Sequence, residues 1–322
     1  SSNTDDITNN TTPIIAGTAA ADSTVALTSD LDGVVGTVTA DGAGLWSTTP
    51  TLSEGAHSLT ATSTDVAGNT SIASTALAVE IDTTAPAAPG TADLDAGSDT
   101  GTADDDDITN NTTPVIAGTA EAGSTIELTS SLDGVVGTAT ADGAGLWSVA
   151  TNVLSHSNHD LTSTATDAAG NTGLTSAVLT ITVDTTLPLA PSAPDLAAVS
   201  DSGTADDDDI TSETAPTLTG TAEENSTVTL SSDLDGIVGT ATADGLGLWS
   251  ITTTTLSEGA HDLTATSTDT AGNTGAASAA LTITVDTTAP AAPSTPDLAT
   301  ANDSGSSNTD DITNNTTPII AG

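Results

Sequence analysis

The 322 residues carry 44 Asp and Glu and no Lys or Arg, a formal charge of −44, so no side-chain cation can neutralise a convergence of carboxylates. That balance excludes phosphate neutralisation, and with it nucleic acid and anionic lipid as partners; the lack of Cys removes disulfides and thiolate metal sites. No apolar run reaches bilayer length and no basic segment precedes a hydrophobic one, so neither direct membrane insertion nor a secretory leader is expected from this stretch.

A long internal repeat organises the chain. Leu45-Trp46-Ser47 returns as Leu146-Trp147-Ser148 and Leu248-Trp249-Ser250, 101 and then 102 positions apart. The pair Asp6-Ile7 keeps step as Asp107-Ile108, Asp209-Ile210 and Asp311-Ile312. One residue is missing from the first copy between its Trp and the following His, which marks a loop there. The period predicts a first unit at 1–83 lacking its full leading linker, units at 84–185 and 186–287, and a linker with the start of a truncated fourth unit at 288–322. Residues 306–322 repeat residues 1–17 letter for letter, so this fourth start is expected to be loosely held. Each unit is large enough to bury a core of its own.

Within the first unit, apolar and small polar residues alternate at 23–28, 36–40 and 57–62, the period of half-buried strands. Turn signals such as Asp32-Gly33, Asp41-Gly42 and Gly68-Asn69 separate them. About seven short strands per unit at that spacing predict an all-β chain of tandem immunoglobulin-like antiparallel β-sandwiches in an extended rod. Trp46, Trp147 and Trp249 follow Gly-x-Gly-Leu turns and are assigned to the cores; sugar stacking by these rings is the less favoured alternative. Asp32, Asp133 and Asp235, like Asp41, Asp142 and Asp244, belong to ordinary Asp-Gly turns.

The chemistry concentrates between units. Asp-Thr-Thr closes each last strand, a Pro-rich stretch follows, and an acidic run such as Asp206-Asp207-Asp208-Asp209 opens the next unit. Proline stiffens the connection. Clustered carboxylates repel one another unless a hard cation sits among them, and Ca²⁺ takes its ligands from such oxygens. The expected ligand set at the first seam is Asp65, Asp82, Asp99, Asp106 and Asp107. At the second it is Asp167, Asp184, Asp201, Asp208 and Asp209, and at the third Asp269, Asp286, Asp303, Asp310 and Asp311. Each set assumes that the Asp-x-Ala-Gly-Asn turn shares a pole with its unit's chain end. Asp104 and Asp105 rank lower, because Asn308 and Thr309 replace them. None of these loops has EF-hand spacing.

His57, His159 and His261 are equivalent, and only the second unit adds His156 in place of Glu54 and Glu258. A transition-metal site from His156, His159 and Asp160 in one copy of a repeat is disfavoured against loop drift. No nucleophile elbow, phosphate loop or cationic oxyanion holder is present, so no enzyme is expected.

Thr-Asp-x-Ala-Gly-Asn-Thr (64–70, 166–172, 268–274), Val-Asp-Thr-Thr-x-Pro (183–188, 285–290) and the Asp-Ser-Gly to Asp-Asp-Ile-Thr segments (201–211, 303–313) resemble the bacterial Ig-like repeats of giant repeats-in-toxin type surface adhesins. The resemblance implies a calcium-stiffened, extracellular extender on the bacterial cell surface that projects a distal ligand-binding domain. It implies seam calcium on the Asp residues named above, calcium ions and neighbouring repeats as partners, and a monomeric chain. Thr211-Ser212-Glu213 departs from the pattern of its siblings. An adhesive or carbohydrate-binding module acting directly in attachment is the alternative function.

Overall fold

The structure, a computed structural model, describes residues 6–203, 205, 208–304, 306–307 and 309–321. Among them every regular element is a strand. In the second unit, one sheet runs Gly134–Thr140, Thr125–Ser130, Ser157–Thr166, Leu179–Val183 and Ile108–Thr109, all antiparallel except the last pairing. The facing sheet is Leu146–Ala150, Val115–Thr119 and Asp93–Leu94. The third unit repeats both sheets, and the first has the same five-stranded sheet but only Ile15–Thr18 paired with Leu45–Thr48 opposite. The chain is therefore all-β, with tandem immunoglobulin-like sandwiches, as the alternation predicts.

Alternation fixes which side of each strand is buried. In Thr125–Ser130 the side chains of Ile126 and Leu128 are fully buried while Thr125 and Glu127 face water. Ile116, Ile126, Leu128, Leu161 and Ile181 close around Trp147, and the indole lies flat on Gly118 of the paired strand. Asp142 sets the turn before Trp147: its Oδ1 accepts from the N–H of Ala144 and Leu146 at 2.8 and 2.9 Å. Asp133 holds Ser155 in the same way, through its N–H at 2.9 Å and its hydroxyl at 3.1 Å. These Asp-Gly loops use their carboxylates to organise backbone, the turn role expected of them.

Histidine is also structural. His159 is fully buried, its Nε2 donates to Ser155 O at 2.7 Å, and Nδ1 lies 2.9 Å from Ser130 Oγ. A carbonyl can only accept, so Nε2 carries the proton and the Ser130 hydroxyl donates to Nδ1. Asp133, 3.6 Å from the same Nδ1, completes a group whose residue types suggest a catalytic relay. Both ring nitrogens are occupied and enclosed, so this group pins two loops together. Equivalent bonds recur at His57 and His261. Replacing His159 by Ala leaves a cavity and an orphaned hydroxyl; the expected loss is about 2–4 kcal/mol, read as a lower denaturation midpoint for one unit. An unmoved midpoint would show that the network contributes nothing.

Strand direction decides which residues meet at each pole. Ser157 pairs with Val183 and Leu161 with Leu179, so the turn 167–171 lies at the opposite end of the unit from Asp184. Ile108–Thr109 runs parallel to Thr182–Val183; Thr182 N–H donates to Asp107 O and Asp184 N–H to Thr109 O, both at 2.8 Å. The acidic run that opens the unit therefore ends beside its last strand. The Pro-rich segment before it is not a spacer, because Gly90 N–H donates to Thr119 O at 2.9 Å and Leu94 pairs with Ile116. That segment runs along the unit, becomes a strand at Asp93–Leu94, and delivers the acids to the trailing pole.

Candidate functional site

Asp99, Asp106, Asp107 and Asp184 all lie at the trailing pole of the second unit. Asp107 is held at φ 60, as are Asp6, Asp209 and Asp311 at φ 56, 57 and 58, so the left-handed aspartate is part of the repeat. Asn and Asp tolerate that region better than other L-residues. Asp107 N–H donates to Asp99 Oδ2 at 3.2 Å. The other oxygen, Asp99 Oδ1, is buried with no hydrogen-bond partner, as are Asp201 Oδ1 and Asp303 Oδ1 at the equivalent positions. Asp99 and Asp201 are each only 8% exposed. Burial pushes the Asp99 carboxyl above the usual carboxylate range, helped by the charges of Asp106 and Asp104. Burial, then the charges of Asp93, Asp99 and Asp106, pushes Asp107 up as well.

This grouping corrects the predicted sets. The turns of Asp65, Asp167 and Asp269 sit at the leading pole of their own units, away from the chain end they were assigned to. Asp167 uses its oxygens within its loop, accepting from Asn171 N–H and Asn171 Nδ2, both at 2.8 Å. Burial raises its carboxyl, but the Asn171 side chain and the backbone N–H groups of Asn171, Gly170 and Ala169 outweigh that and leave it lowered. Asp65 is lowered mainly by the Asn69 side chain.

The leading-pole turn instead docks on the previous unit. Asn171 Nδ2 donates to Asp82 O at 2.8 Å, and Asn273 Nδ2 to Asp184 O at 2.9 Å. At the second junction Thr100 Oγ1 donates to Ala271 O at 2.6 Å. Gly101, at φ 116, lets its backbone press on Thr270 O where any Cβ would collide.

The second junction thus joins Asp99, Asp106, Asp107 and Asp184 to the Asp269–Asn273 turn, and the first joins Asp82 to the Asp167 turn. Asp201, Asp208, Asp209 and Asp286 share the trailing pole of the third unit, where Asp286 N–H donates to Thr211 O at 2.9 Å. Asp303, Asp310 and Asp311 open the next acidic run, where Asp311 N–H donates to Asp303 Oδ2 at 3.3 Å. Asp206, Asp207 and Asn308 lie outside the described residues.

The donors are all hard oxygens, and Asp99, Asp201 and Asp303 each leave a buried carboxylate oxygen with nothing opposite it, which fits a hard cation. Among the described residues, no three His, Asp or Glu side chains are already gathered to hold a metal ion. His156 and His159 do not come together in a shared site: His159 is enclosed as described, while His156 lies at the junction, 3.5 Å from Asp184 Oδ1, accepting from Thr185 N–H. In the other units Glu54 and Glu258 accept from the matching backbone N–H groups of Thr83 and Thr287, both at 3.2 Å. Asn171, Thr100 and Gly101, the residues that join units, were missed from sequence. The letters Ala-Gly-Asn repeated at 67–69, 169–171 and 271–273 were the available signal.

Residues 1–83, 85–185 and 186–287 each match a family described as bacterial Ig-like domain. No curated protein matches the chain. Solved structures that resemble it include one described as "Structural insight into host cell surface retention of a 1.5-MDa bacterial ice-binding adhesin", with 22% identity, 87% of this chain and 93% of that chain covered, and a TM-score of 0.32. A biofilm associated protein BSP domain shows 18% identity over 83% of this chain and 57% of that one, with a TM-score of 0.23. Fibronectin(III)-like modules from Clostridium thermocellum show 15% identity over 55% and 87%, with a TM-score of 0.33. At such identity and superposition these likenesses carry no argument about function.

Proposed function

Because the chain belongs to the bacterial Ig-like domain family along all three units, we propose that it is an extender segment of a bacterial cell-surface adhesin, a string of sandwiches stiffened by Ca²⁺ at its junctions. Its place is extracellular, and its work is to hold a distal ligand-binding domain away from the cell. One observation carries this reading. The equivalent aspartates Asp99, Asp201 and Asp303 each keep a partnerless buried carboxylate oxygen in an acidic run, and at the second junction the neighbouring unit docks beside it.

Without a counter-charge, Asp99, Asp104, Asp106 and Asp107 repel one another across the surface on which Ala271 accepts its bond from Thr100. A bound Ca²⁺ would supply the positive charge and oxygen-ligand bonding that no side chain of this chain provides. Asp99, Asp106, Asp107 and Asp184 would hold it at the second junction, and Asp201, Asp208, Asp209 and Asp286 at the third pole. The Thr100 and Asn273 contacts then keep the next unit in one orientation.

Small-angle scattering with calcium and with chelator tests the proposal. The maximum dimension is expected to shorten on chelation as the junctions begin to pivot. Superimposable profiles in both conditions would overturn it.

A further inference from the structure

The Pro-rich arm of the second unit is seated lengthwise, and its grip is mostly apolar. Pro86, Pro89, Ala92 and Leu94 are buried, as are Pro188, Pro191, Pro194 and Leu196 in the third unit. Up to Ala92 the inward residues recur every third position, the period of a polyproline II helix. Pro86 and Pro89 have no N–H to give. The backbone is tied by Gly90 N–H to Thr119 O at 2.9 Å, by the pairing of Asp93–Leu94 with Ala117 and Ile116, and by Asp95 N–H to Val115 O at 3.0 Å. Ser98 then pins the acidic loop: its Oγ accepts from Val115 N–H at 2.9 Å and its carbonyl from Thr109 Oγ1 at 2.6 Å.

A pull along the string meets two unequal holds in this unit. It enters at the leading pole, where the carbonyl of Pro86 packs on Gly173 just past the 167–171 turn, and it leaves at Asp184 on the trailing pole. The arm is therefore drawn lengthwise out of its seat, and its strand, Asp93–Leu94, is the outer one of its sheet, held on one side. The next fixed point is Ile108–Thr109, parallel to Thr182–Val183, where Thr182 N–H donates to Asp107 O and Asp184 N–H to Thr109 O. Opposed pulls on two parallel strands load those bonds together. The exit strand Leu179–Val183 is also paired with Ser157–Leu161 on its other side, inside the five-stranded sheet.

We infer that residues 85–107 are a releasable length of chain: under tension the arm and the acidic loop leave the unit while the rest of both sheets stays folded. Leu146–Ala150 keeps its pairing with Val115–Thr119, and Ile108–Thr109 lies beyond the released stretch. About 23 residues then extend to about 80 Å, where the seated arm spans about 30 Å, so one release lengthens the string by about 50 Å. The freed arm stays tethered at Ile108 and re-seats when tension falls. Ser192 N–H on Thr221 O and the pairing of Leu196 with Leu218 repeat the same seat in the third unit. In the extender proposed above, on which this use rests, the string gives under load without losing a sandwich.

Stretching single molecules of the full 322-residue chain by handles at its two ends, in chelator, tests this. Reversible steps of about 50 Å are expected at lower force than the steps of roughly 300 Å that mark loss of a whole unit. D93C with A117C joins the arm to its partner strand at a paired position, and the chain has no Cys of its own. Oxidised, this variant is expected to lose the short step of the second unit and to regain it on reduction. L94A, which thins the apolar grip, is expected to give the short step at lower force. Traces that contain only whole-unit steps overturn the inference, and so do short steps whose number the cross-link leaves unchanged. Load is imposed directly and metal is absent, so failure here leaves the calcium-stiffened extender standing, and failure of that reading leaves the release standing.

Discussion

Trp147→Ala is expected to remove about 3–5 kcal/mol from the second unit, a large share of the roughly 5–15 kcal/mol that holds a domain of this size. No other aromatic shares the work: the composition holds three Trp and no Phe or Tyr, so each unit centres on one indole. Ile116, Ile126, Leu128, Leu161 and Ile181 would be left lining a void too large for them to close. Gly118→Ala probes the same contact from the other side. Its Cβ would lie 2.7 Å from Trp147 Cζ2 and 2.9 Å from Cε2, with the ring already held by the opposite sheet. Over-packing of this kind costs about 1–3 kcal/mol. Gly17 and Gly220 lie under Trp46 and Trp249 in the same way, so the pairing belongs to the repeat. Differential scanning calorimetry should show one of the unit transitions displaced while the others keep their midpoints. If G118A leaves all of them unmoved, the ring is free to tilt and the core is softer than its burial implies.

The sandwiches were legible because their determinants are local. Alternation in Thr125–Ser130, the Asp142 turn and the Trp147 position each follow from a few neighbouring residues. Pole assignment was not, because it depends on where the Pro-rich segment lies. A run such as Ala85-Pro86-Ala87-Ala88-Pro89 reads equally well as a stiff spacer between units or as an edge strand inside one. In the fold it packs inside one, paired as a strand only at Asp93–Leu94, and at about 3.1 Å per residue an extended arm of this length crosses a whole sandwich. The acids it delivers therefore arrive at the far pole, and the Asp65, Asp167 and Asp269 turns lie at the opposite pole from the one the sequence suggested. A discriminating feature was present in Pro188, Pro191 and Pro194: a period of three marks one buried side, which a free spacer has no reason to keep. The buried Asp99 oxygen carries no such signature, since its letters match those of any solvated acidic loop.

Asp99→Asn should reverse its effect with metal. In chelator the variant is expected to melt above the parent, and in saturating calcium below it. The first half follows from linkage. Burial and neighbouring acids raise Asp99 and Asp107 in the folded chain, so the native state holds protons there that the unfolded chain has already released. Stability from these two groups is therefore full below the ordinary carboxylate range and is lost as pH rises through it toward the raised values. At neutral pH without metal they are a standing penalty, and Asn removes one charge of it while keeping an oxygen for Asp107 N–H. Asp133, Asp142 and Asp167 have the opposite sign: their donors lower them, so their contribution is present at neutral pH and lost as pH falls through their depressed values. A metal-free melt against pH should consequently peak on the acid side of neutrality. The second half follows from mass action, since a cation bound only to the folded junction adds about 2.7 kcal/mol at a hundredfold excess over its dissociation constant, or roughly 10–20 °C for a unit of this size. Asn in place of Asp99 withdraws a charged ligand and most of that increment. Parent and variant melting curves that keep the same order in calcium and in chelator would remove Asp99 from any cation site, and with it the reason for its buried, partnerless oxygen.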